Sequence, residues 1–271
     1  MILRRSCSLV VGILLLLFGS LRDAGSAQEV IARGQVWATY NVDLAGLNLG
    51  EFHLNVIFQG PTYEMHAEGR FSLLLGWVYS ATGTTTSTGS LTREGPEPST
   101  FTVSYEGGGK KEQRRVSFAD GTISEVSITP PKKSGRRRVP VTKEQLKDVL
   151  DPLSATFLHS SSDHPVCDKT MPVFDGRLRF NIVLSPKRTD SLPKKTLTDL
   201  SGPAAVCGVK FVPIGGYKPD NPAIKFLSQT DQIEVWLVSL PQTAIYVPYL
   251  VVGPTPLGRA SATLTQIKIN H

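Results

Sequence analysis

Short runs of β-forming residues, broken by turn residues about every 8 to 12 positions, dominate this sequence. Val, Ile, Thr, Tyr and Phe fill these runs, and such side chains pack well on a pleated sheet. The run over residues 51–59 alternates and places His53, Asn55 and Ile57 on one face. Alternation of this kind is typical of a strand with one face in water. The sequence therefore predicts a mainly β fold.

Turn residues divide the chain into strand-length segments. Asp120-Gly121 and Asp175-Gly176 are the clearest turns, because Asp-Gly suits the positive φ of a tight hairpin. Residues 107–110 are predicted to form a hairpin tip, and residues 46–50 a loop. The predicted strands cover residues 34–44, 51–59, 63–71, 77–90, 99–106, 112–118, 122–129, 176–185, 206–213, 231–239, 243–252 and 257–269.

So many consecutive strands favour one large antiparallel sheet, curled on itself as an open barrel or a β-spiral. One short central helical segment is expected over residues 142–158. Thr142 and Gln145 form a capping-box pattern at its start. Asp151 followed by Pro152 is typical of a second helix start within it.

The N-terminal residues have the pattern of an export signal. Arg4 and Arg5 precede an apolar run over residues 9–18, and small residues end at Ala27. That run is shorter than the about 20 residues that a spanning helix needs. We therefore expect a signal peptide over residues 1–27, no transmembrane anchor after cleavage, and a single β-rich domain over residues 28–271.

Cleavage would remove Cys7 and leave Cys167 and Cys207. An even pair of cysteines in an exported chain favours a disulfide bond, and two buried free thiols are the alternative.

Basic residues form two groups. The first contains Lys110, Lys111, Arg114 and Arg115. The second group is Lys132, Lys133, Arg136, Arg137 and Arg138. Both could be solvated loops, or the second could bind anionic headgroups of phospholipid or lipopolysaccharide. No aromatic residues interleave with them to stack on bases, so a nucleic-acid partner is not expected.

The segment over residues 71–79 is apolar at most positions. It is interpreted either as a central strand buried on both faces or as the wall of a ligand cavity. The cavity wall would contain Leu73, Leu75, Trp77 and Tyr79.

Candidate catalytic and metal-binding patterns are weak. Residues 159–168 contain His159, Asp163, His164 and Cys167, but their spacing matches no standard zinc site. No nucleophile elbow and no phosphate-binding loop occur in the sequence. We expect no catalytic residues, no metal and no cofactor, and the protein is not predicted to be an enzyme.

Several stretches together are similar to a known group. They are Tyr-Asn-Val-Asp-Leu-Ala-Gly at 40–46, Leu-Gly at 49–50, Phe-Asp-Gly-Arg-Leu-Arg-Phe at 174–180, Cys-Gly-Val-Lys-Phe-Val-Pro-Ile-Gly-Gly-Tyr-Lys-Pro at 207–219, and Thr-Pro-Leu-Gly at 255–258. They resemble an exported proteobacterial family of unknown function, over nearly all of residues 30–271. The architecture is also similar to the alphaproteobacterial envelope integrity protein B group, whose members form a curled periplasmic β-spiral with a disulfide.

This resemblance implies a periplasmic protein with a role in cell-envelope integrity, with an envelope lipid or an envelope protein as its partner. The leading hypothesis is a non-enzymatic binding or scaffolding protein. The first alternative is a carrier of lipid or lipoprotein with an apolar cavity. The second is a hydrolase of envelope polymer, in which His159 and Asp163 would be the residues to test. The oligomeric state stays open.

Overall fold

The fold is seen in a computed structural model of the full chain. It describes residues 33–73, 79–92, 94–131, 138–160, 165–192, 197, 200, 202–241 and 243–270, with only the backbone at positions 73 and 79. The predicted signal peptide lies outside the described residues.

Nearly all of the described secondary structure is β. The strands are β1 (Arg33–Leu44), β2 (Leu47–Gln59), β3 (Thr62–Leu73), β4 (Tyr79–Leu91), β5 (Pro96–Gly107), β6 (Lys110–Ala119), β7 (Thr122–Thr129), β8 (Leu158–His159), β9 (Lys169–Phe174), β10 (Arg179–Ser191), β11 (Pro203–Gly215), β12 (Ile233–Ser239), β13 (Ile245–Thr255) and β14 (Gly258–Asn270). One α-helix, α1 (Pro222–Gln229), lies between β11 and β12. No helix in the described ranges is both long and apolar enough to cross a membrane.

The strands form one antiparallel sheet in the order β7-β6-β5-β4-β3-β2-β1-β14-β13-β12-β11-β10-β9, with the short β8 paired to β13. Strands that are adjacent in this order are consecutive in the sequence, except for β1 and β14. Because direction alternates along a path with an odd number of strands, the edge strands β7 and β9 run the same way. Antiparallel pairing therefore cannot close the sheet, and it stays an open, curled sheet as the sequence predicts.

The predicted strands are confirmed, and four details differ. The predicted loop over residues 46–50 belongs mostly to β2, because the turn is made by Ala45 and Gly46 alone, both with positive φ. Residues 71–79 are not one strand, since Leu73 and Tyr79 face each other across the β3–β4 hairpin. The edge strand β9 and the helix α1 were not predicted.

The central helical segment differs in kind. Residues 142–158 contain two single-turn 3₁₀ helices, Glu144–Leu146 and Ser154–Thr156. The capping box is present, with the amide of Gln145 3.4 Å from Thr142 Oγ1 and the amide of Thr142 3.0 Å from Gln145 Oε1. A longer helix does not form because Asp148 has φ of 51° and the backbone between the two turns bonds to the sheet edges instead.

The two ends of the sheet overlap instead of meeting edge to edge. The turn between β9 and β10 lies on the inner face of β6, so closely that a Cβ on Gly176 would be 3.2 Å from Val116 Cγ2. Gly176 has φ of 87°, which glycine adopts without strain. The predicted Asp175-Gly176 turn is thus confirmed, and the overlap makes the sheet a spiral.

Paired charges hold this overlap. Glu112 of β6 is buried, with its oxygens 3.3 Å from Arg114 Nε and 3.0 Å from Arg177 Nη2. Arg114 Nη1 lies 2.7 Å from the carboxylate of Asp175 and also donates a hydrogen bond to the backbone oxygen of Asp175. Burial of a carboxylate is tolerated when cations and donors surround it.

Residues 138–157, called the clasp here, fasten the remaining gap between the sheet edges. Leu150 donates to Pro172 O of β9 and accepts from the amide of Phe174, both at 2.8 Å. Asp148 donates to Gly121 O beside β7 at 2.7 Å. Arg179 of β10 donates to Gln145 O at 2.7 Å. The clasp therefore bonds to both edges, which are not paired with each other.

A buried carboxylate fixes the clasp inside the sheet. Asp151 Oδ1 accepts from the amides of Leu153 and Ser154 at 2.9 and 3.0 Å. Its Oδ2 accepts from the hydroxyls of Ser87 at 2.8 Å and Ser154 at 2.5 Å. The hydroxyl of Tyr63 lies 2.7 Å from Ser154 Oγ. Burial raises the pKa of Asp151 and that of Tyr63, although the hydrogen bonds to Asp151 oppose this.

Apolar side chains fill the interior beside this network. Phe58 and Met65 from the sheet are fully buried there, and Phe157 from the clasp is buried beside them. The rings of Phe58 and Phe157 lie 5.8 Å apart. The clasp thus contributes to the core as well as to the closure.

The predicted disulfide is confirmed. Cys167, just before β9, is bonded to Cys207 of β11, with 5.3 Å between their Cα atoms. Both cysteines belong to a second buried cluster that includes Val173, Leu184 and Leu237. The bond ties the start of the edge strand to a strand two positions inside the sheet.

Replacing Cys167 and Cys207 together by alanine should lower the free energy of unfolding by about 4 kcal/mol, because the unfolded chain loses a covalent loop closure. Urea unfolding of the oxidised protein and of the double variant measures this difference. Reduction of the wild-type protein should give a similar loss, and an unchanged urea midpoint would contradict the prediction.

Asp151→Asn should change how stability depends on pH. A carboxyl group with a raised folded-state pKa stabilises the fold most below its ordinary pKa of about 3.9, and this contribution is lost as pH rises through the raised value. The wild type should therefore lose stability relative to the variant as pH rises from about 4 to about 7. Urea unfolding across that range measures the difference. Glu125→Gln, at an exposed edge position, should show no comparable trend, and a constant wild-type-to-D151N difference would refute the prediction.

Candidate functional site

The outer face of the sheet carries a polar groove. It crosses β2, β3, β4, β5 and the start of β6, and its volume is about 700 Å³. The side chains that project from its wall are polar or charged, because Gly69 and Gly83 have no side chain and Tyr105 alternates with the outward-facing Ser104 and Glu106. The lining residues are Glu51, His53, Glu68, Gly69, Arg70, Thr82, Gly83, Thr84, Ser104, Tyr105, Glu106 and Lys111. We call this surface the outer groove.

Strand register arranges the outer groove in rows. One row runs through Glu51, Arg70, Thr82, Glu106 and Lys111, each the register partner of the next. Neighbours in a row are about 5 Å apart, so acidic and basic groups lie side by side. Lys111 Nζ is 3.8 Å from Glu106 Oε2 with both side chains exposed. The charges are therefore in water and available to a ligand.

The second row lies one rung further along the strands. It runs through His53, Glu68, Thr84 and Ser104. Thr39 of β1 extends it, with Oγ1 3.1 Å from His53 Nδ1. This row connects the outer groove to the face of β1 and β14.

A second depression lies on that neighbouring face. Its volume is about 480 Å³, and it is lined by Trp37, Thr39, Gln266, Ile267, Lys268 and Asn270. Trp37 is 39% exposed, although most large apolar side chains of the described residues are buried. We call this surface the Trp37 shelf. Thr39 belongs to both the shelf and the second row, so the two surfaces are continuous.

The structure places few of the sequence-predicted site residues near this surface. Leu75 and Trp77 of the predicted cavity wall lie outside the described residues, and for Leu73 and Tyr79 only the backbone is described. Of the predicted anion-binding residues, Lys132, Lys133, Arg136 and Arg137 lie outside them as well. Arg138 donates from Nη1 to Gly216 O at 2.5 Å, so its guanidinium takes part in anchoring the clasp.

The weakly predicted metal and catalytic residues are not brought together in the described part of the chain. Asp163 and His164 lie outside it, and Cys167 is in the disulfide. Burial, and then the charge of Lys169, lower the pKa of His159. Lys169 Nζ donates to the backbone oxygen of His159. Within the described ranges, no three His, Cys, Asp or Glu side chains are grouped to hold a metal ion.

Sequence reasoning missed most of the outer groove and the whole Trp37 shelf. One signal was available, since Thr82, Thr84, Thr86 and Thr88 repeat at every second position of β4. Such a repeat predicts a hydroxyl-rich face. Nothing local to the sequence could show that β14 lies beside β1, because that pairing joins the two ends of the described chain.

Comparison with protein families matches residues 39–265 to a family described as protein of unknown function, DUF3108. No curated protein matches the chain at a significant level. Among solved structures, the chain is similar to the crystal structure of a β-barrel-like protein of domain of unknown function DUF1849 from Brucella abortus, with a TM-score of 0.51 and 9% sequence identity. The match covers 89% of this chain and 98% of that one. At this identity the likeness shows the fold and carries no function.

Cysteines introduced on the two faces of β4 should differ in reactivity. Thr84→Cys should react quickly with a charged maleimide, because position 84 is exposed in the outer groove. Ser87→Cys should react only after unfolding, since position 87 is fully buried. Mass spectrometry of the oxidised protein after timed labelling measures both rates. Equal rates in the folded protein would show that the assignment of faces is wrong.

Proposed function

The chain belongs to the DUF3108 family of proteins of unknown function, and we propose that it is a binding or scaffolding protein of the periplasm. It has no enzymatic role in this proposal. It contributes to cell-envelope integrity by holding an envelope component on the outer face of its sheet.

The outer groove is the observation that carries this proposal. Its polar side chains come from five neighbouring strands held in continuous register. A site on a rigid sheet can bind a ligand without a large ordering cost. Exposed, mixed charges and hydroxyls suit an extended polar ligand.

The disulfide supports the proposed compartment. The bond between Cys167 and Cys207 is of a kind that persists in oxidising compartments and is rare in the cytosol. The arginines and apolar run before Ala27 point the same way. Together they favour a protein that works outside the cytoplasm.

The packing of the interior favours surface binding over lipid carriage. Phe58, Met65, Val116 and Leu240 face inward and are almost completely buried, and Phe157 of the clasp packs against them. In this part of the molecule the space that an acyl chain would need is filled by the protein's own side chains. The outer groove, in contrast, is open.

Filling the groove tests the proposal. Thr84→Trp places a large side chain at the centre of the outer groove, so a host strain that lacks the native gene should stay sensitive to detergent when it carries this variant. Thr100→Trp is the matched control. It lies on the neighbouring strand β5, four residues from the groove residue Ser104 and so about 13 Å away, and should restore resistance.

Thermal unfolding of both purified variants must first show that they are folded. Full resistance with Thr84→Trp would overturn binding in the outer groove. Native mass spectrometry of the protein released from its own periplasm provides the second test. A bound lipid mass would contradict surface binding and favour the lipid carrier instead.

A further inference from the structure

Trp37 is an exposed indole on a largely polar sheet face. Its register partners are Lys268 on β14 and Asn55 on β2, and neither covers the ring, which is 39% exposed. Its neighbours along β1, Val36 and Ala38, point into the core. The indole therefore does not belong to the core. Exposed indoles are enriched at contact surfaces, because the ring is apolar while its N–H can bond to a partner.

Carboxamide side chains surround the indole. Gln35 and Asn55 lie on the same face, and Gln35 Nε2 donates to Asn55 Oδ1 at 2.8 Å. Gln266 and Asn270 lie on β14, one rung to either side of Lys268, and all three are exposed. Four carboxamides thus border one ring. Each carboxamide offers both donors and an acceptor.

This combination matches the chemistry of a sugar. A pyranose ring has a face of C–H groups that packs on an indole, and a rim of groups that both donate and accept hydrogen bonds. Acetamido substituents pair well with carboxamides, since each supplies what the other lacks. A lipid surface would not use four carboxamides, and a protein side chain would not need so many mixed donors and acceptors around one ring.

We propose that the Trp37 shelf binds an extended oligosaccharide of N-acetylated amino sugars, with one pyranose ring stacked on Trp37. This inference rests on the proposed function and names its ligand. Lys268 beside the ring suits sugars that carry a carboxylate or phosphate group.

The outer groove gives the rest of the chain of sugars a path. From the shelf, Thr39 leads to His53, then to Glu68, Thr84 and Ser104. This row crosses the strands without a break, over about 20 Å from β1 to β5. It is long enough for several sugar units and presents hydroxyl, imidazole and carboxylate groups to them.

Titration with chitotetraose tests the inference directly. The chain has three tryptophans, so a ¹H–¹⁵N spectrum of the oxidised protein shows three indole signals, and the signal lost in Trp37→Phe is that of Trp37. This signal should shift on addition of chitotetraose up to about 10 mM. Maltotetraose, whose α linkages curve the chain, should shift it far less.

Variants distinguish the loss of stacking on Trp37 from a loss of binding caused by misfolding. Trp37→Ala should weaken chitotetraose binding about tenfold or more, as expected for loss of a central aromatic contact, and Trp37→Phe should weaken it less. Gln266→Ala should also weaken binding while leaving the core intact, which covers the case in which Trp37→Ala unfolds. Leu257→Ala is the matched control, because Leu257 is exposed at the β13–β14 hairpin tip away from the shelf, and it should bind as the wild type does.

Two results would overturn the inference. One is the absence of any shift of the Trp37 signal with chitotetraose. The other is equal binding by the wild type and Trp37→Ala. If either result is found and the Thr84→Trp variant also fails to restore detergent resistance, an amino-sugar ligand is rejected, while the proposed binding function remains supported. Normal complementation by Thr84→Trp would reject the proposed function itself.

Discussion

The buried carboxylate of Asp151 is the constraint on which the rest of the structure depends. It accepts four hydrogen bonds, from two amides of the clasp and from the hydroxyls of Ser87 and Ser154. An unpaired carboxylate in the core would cost several kcal/mol, so the clasp has one position in which this group is satisfied. In that position the clasp reaches both edges of a sheet whose strand parity prevents antiparallel closure.

The same arrangement determines which face of the sheet stays open to solvent. Closure by overlap brings the β9–β10 turn onto the inner face of β6, where Arg114 and Arg177 neutralise Glu112. The clasp then adds Leu153 and Phe157 to the inner core. Polar and apolar groups of the inner face are thus engaged by the protein itself. The outer face is left with its hydroxyls, charges and exposed indole in water.

Local sequence patterns predicted what depends on local geometry. Period-two alternation located the strands, and Asp-Gly and Gly-rich turns located the hairpins. An even pair of cysteines behind the pattern of an export signal predicted the disulfide. The helical segment over residues 142–158 forms two 3₁₀ turns and not a longer helix, because its capping signals, Thr142 with Gln145 and Asp151 with Pro152, act only locally. Whether a capped turn continues depends on competing partners, and here Pro172 O and Gly121 O take the amides of Leu150 and Asp148. The shelf was missed for a related reason, since its residues meet only through the β1–β14 pairing.

The β1–β14 pairing would give a ligand on the Trp37 shelf an effect on stability as well. Along the described strand path, β1–β14 is the step between strands that are not consecutive in the chain, so no local connection favours it. A ligand that touches Trp37 on β1 and Gln266 on β14 contacts both strands of this step. Binding to the folded state alone stabilises it. A ligand bound across the shelf would therefore strengthen the pairing of β1 with β14, in addition to the links that the clasp and the Glu112–Arg177 ion pair make between the two halves of the sheet.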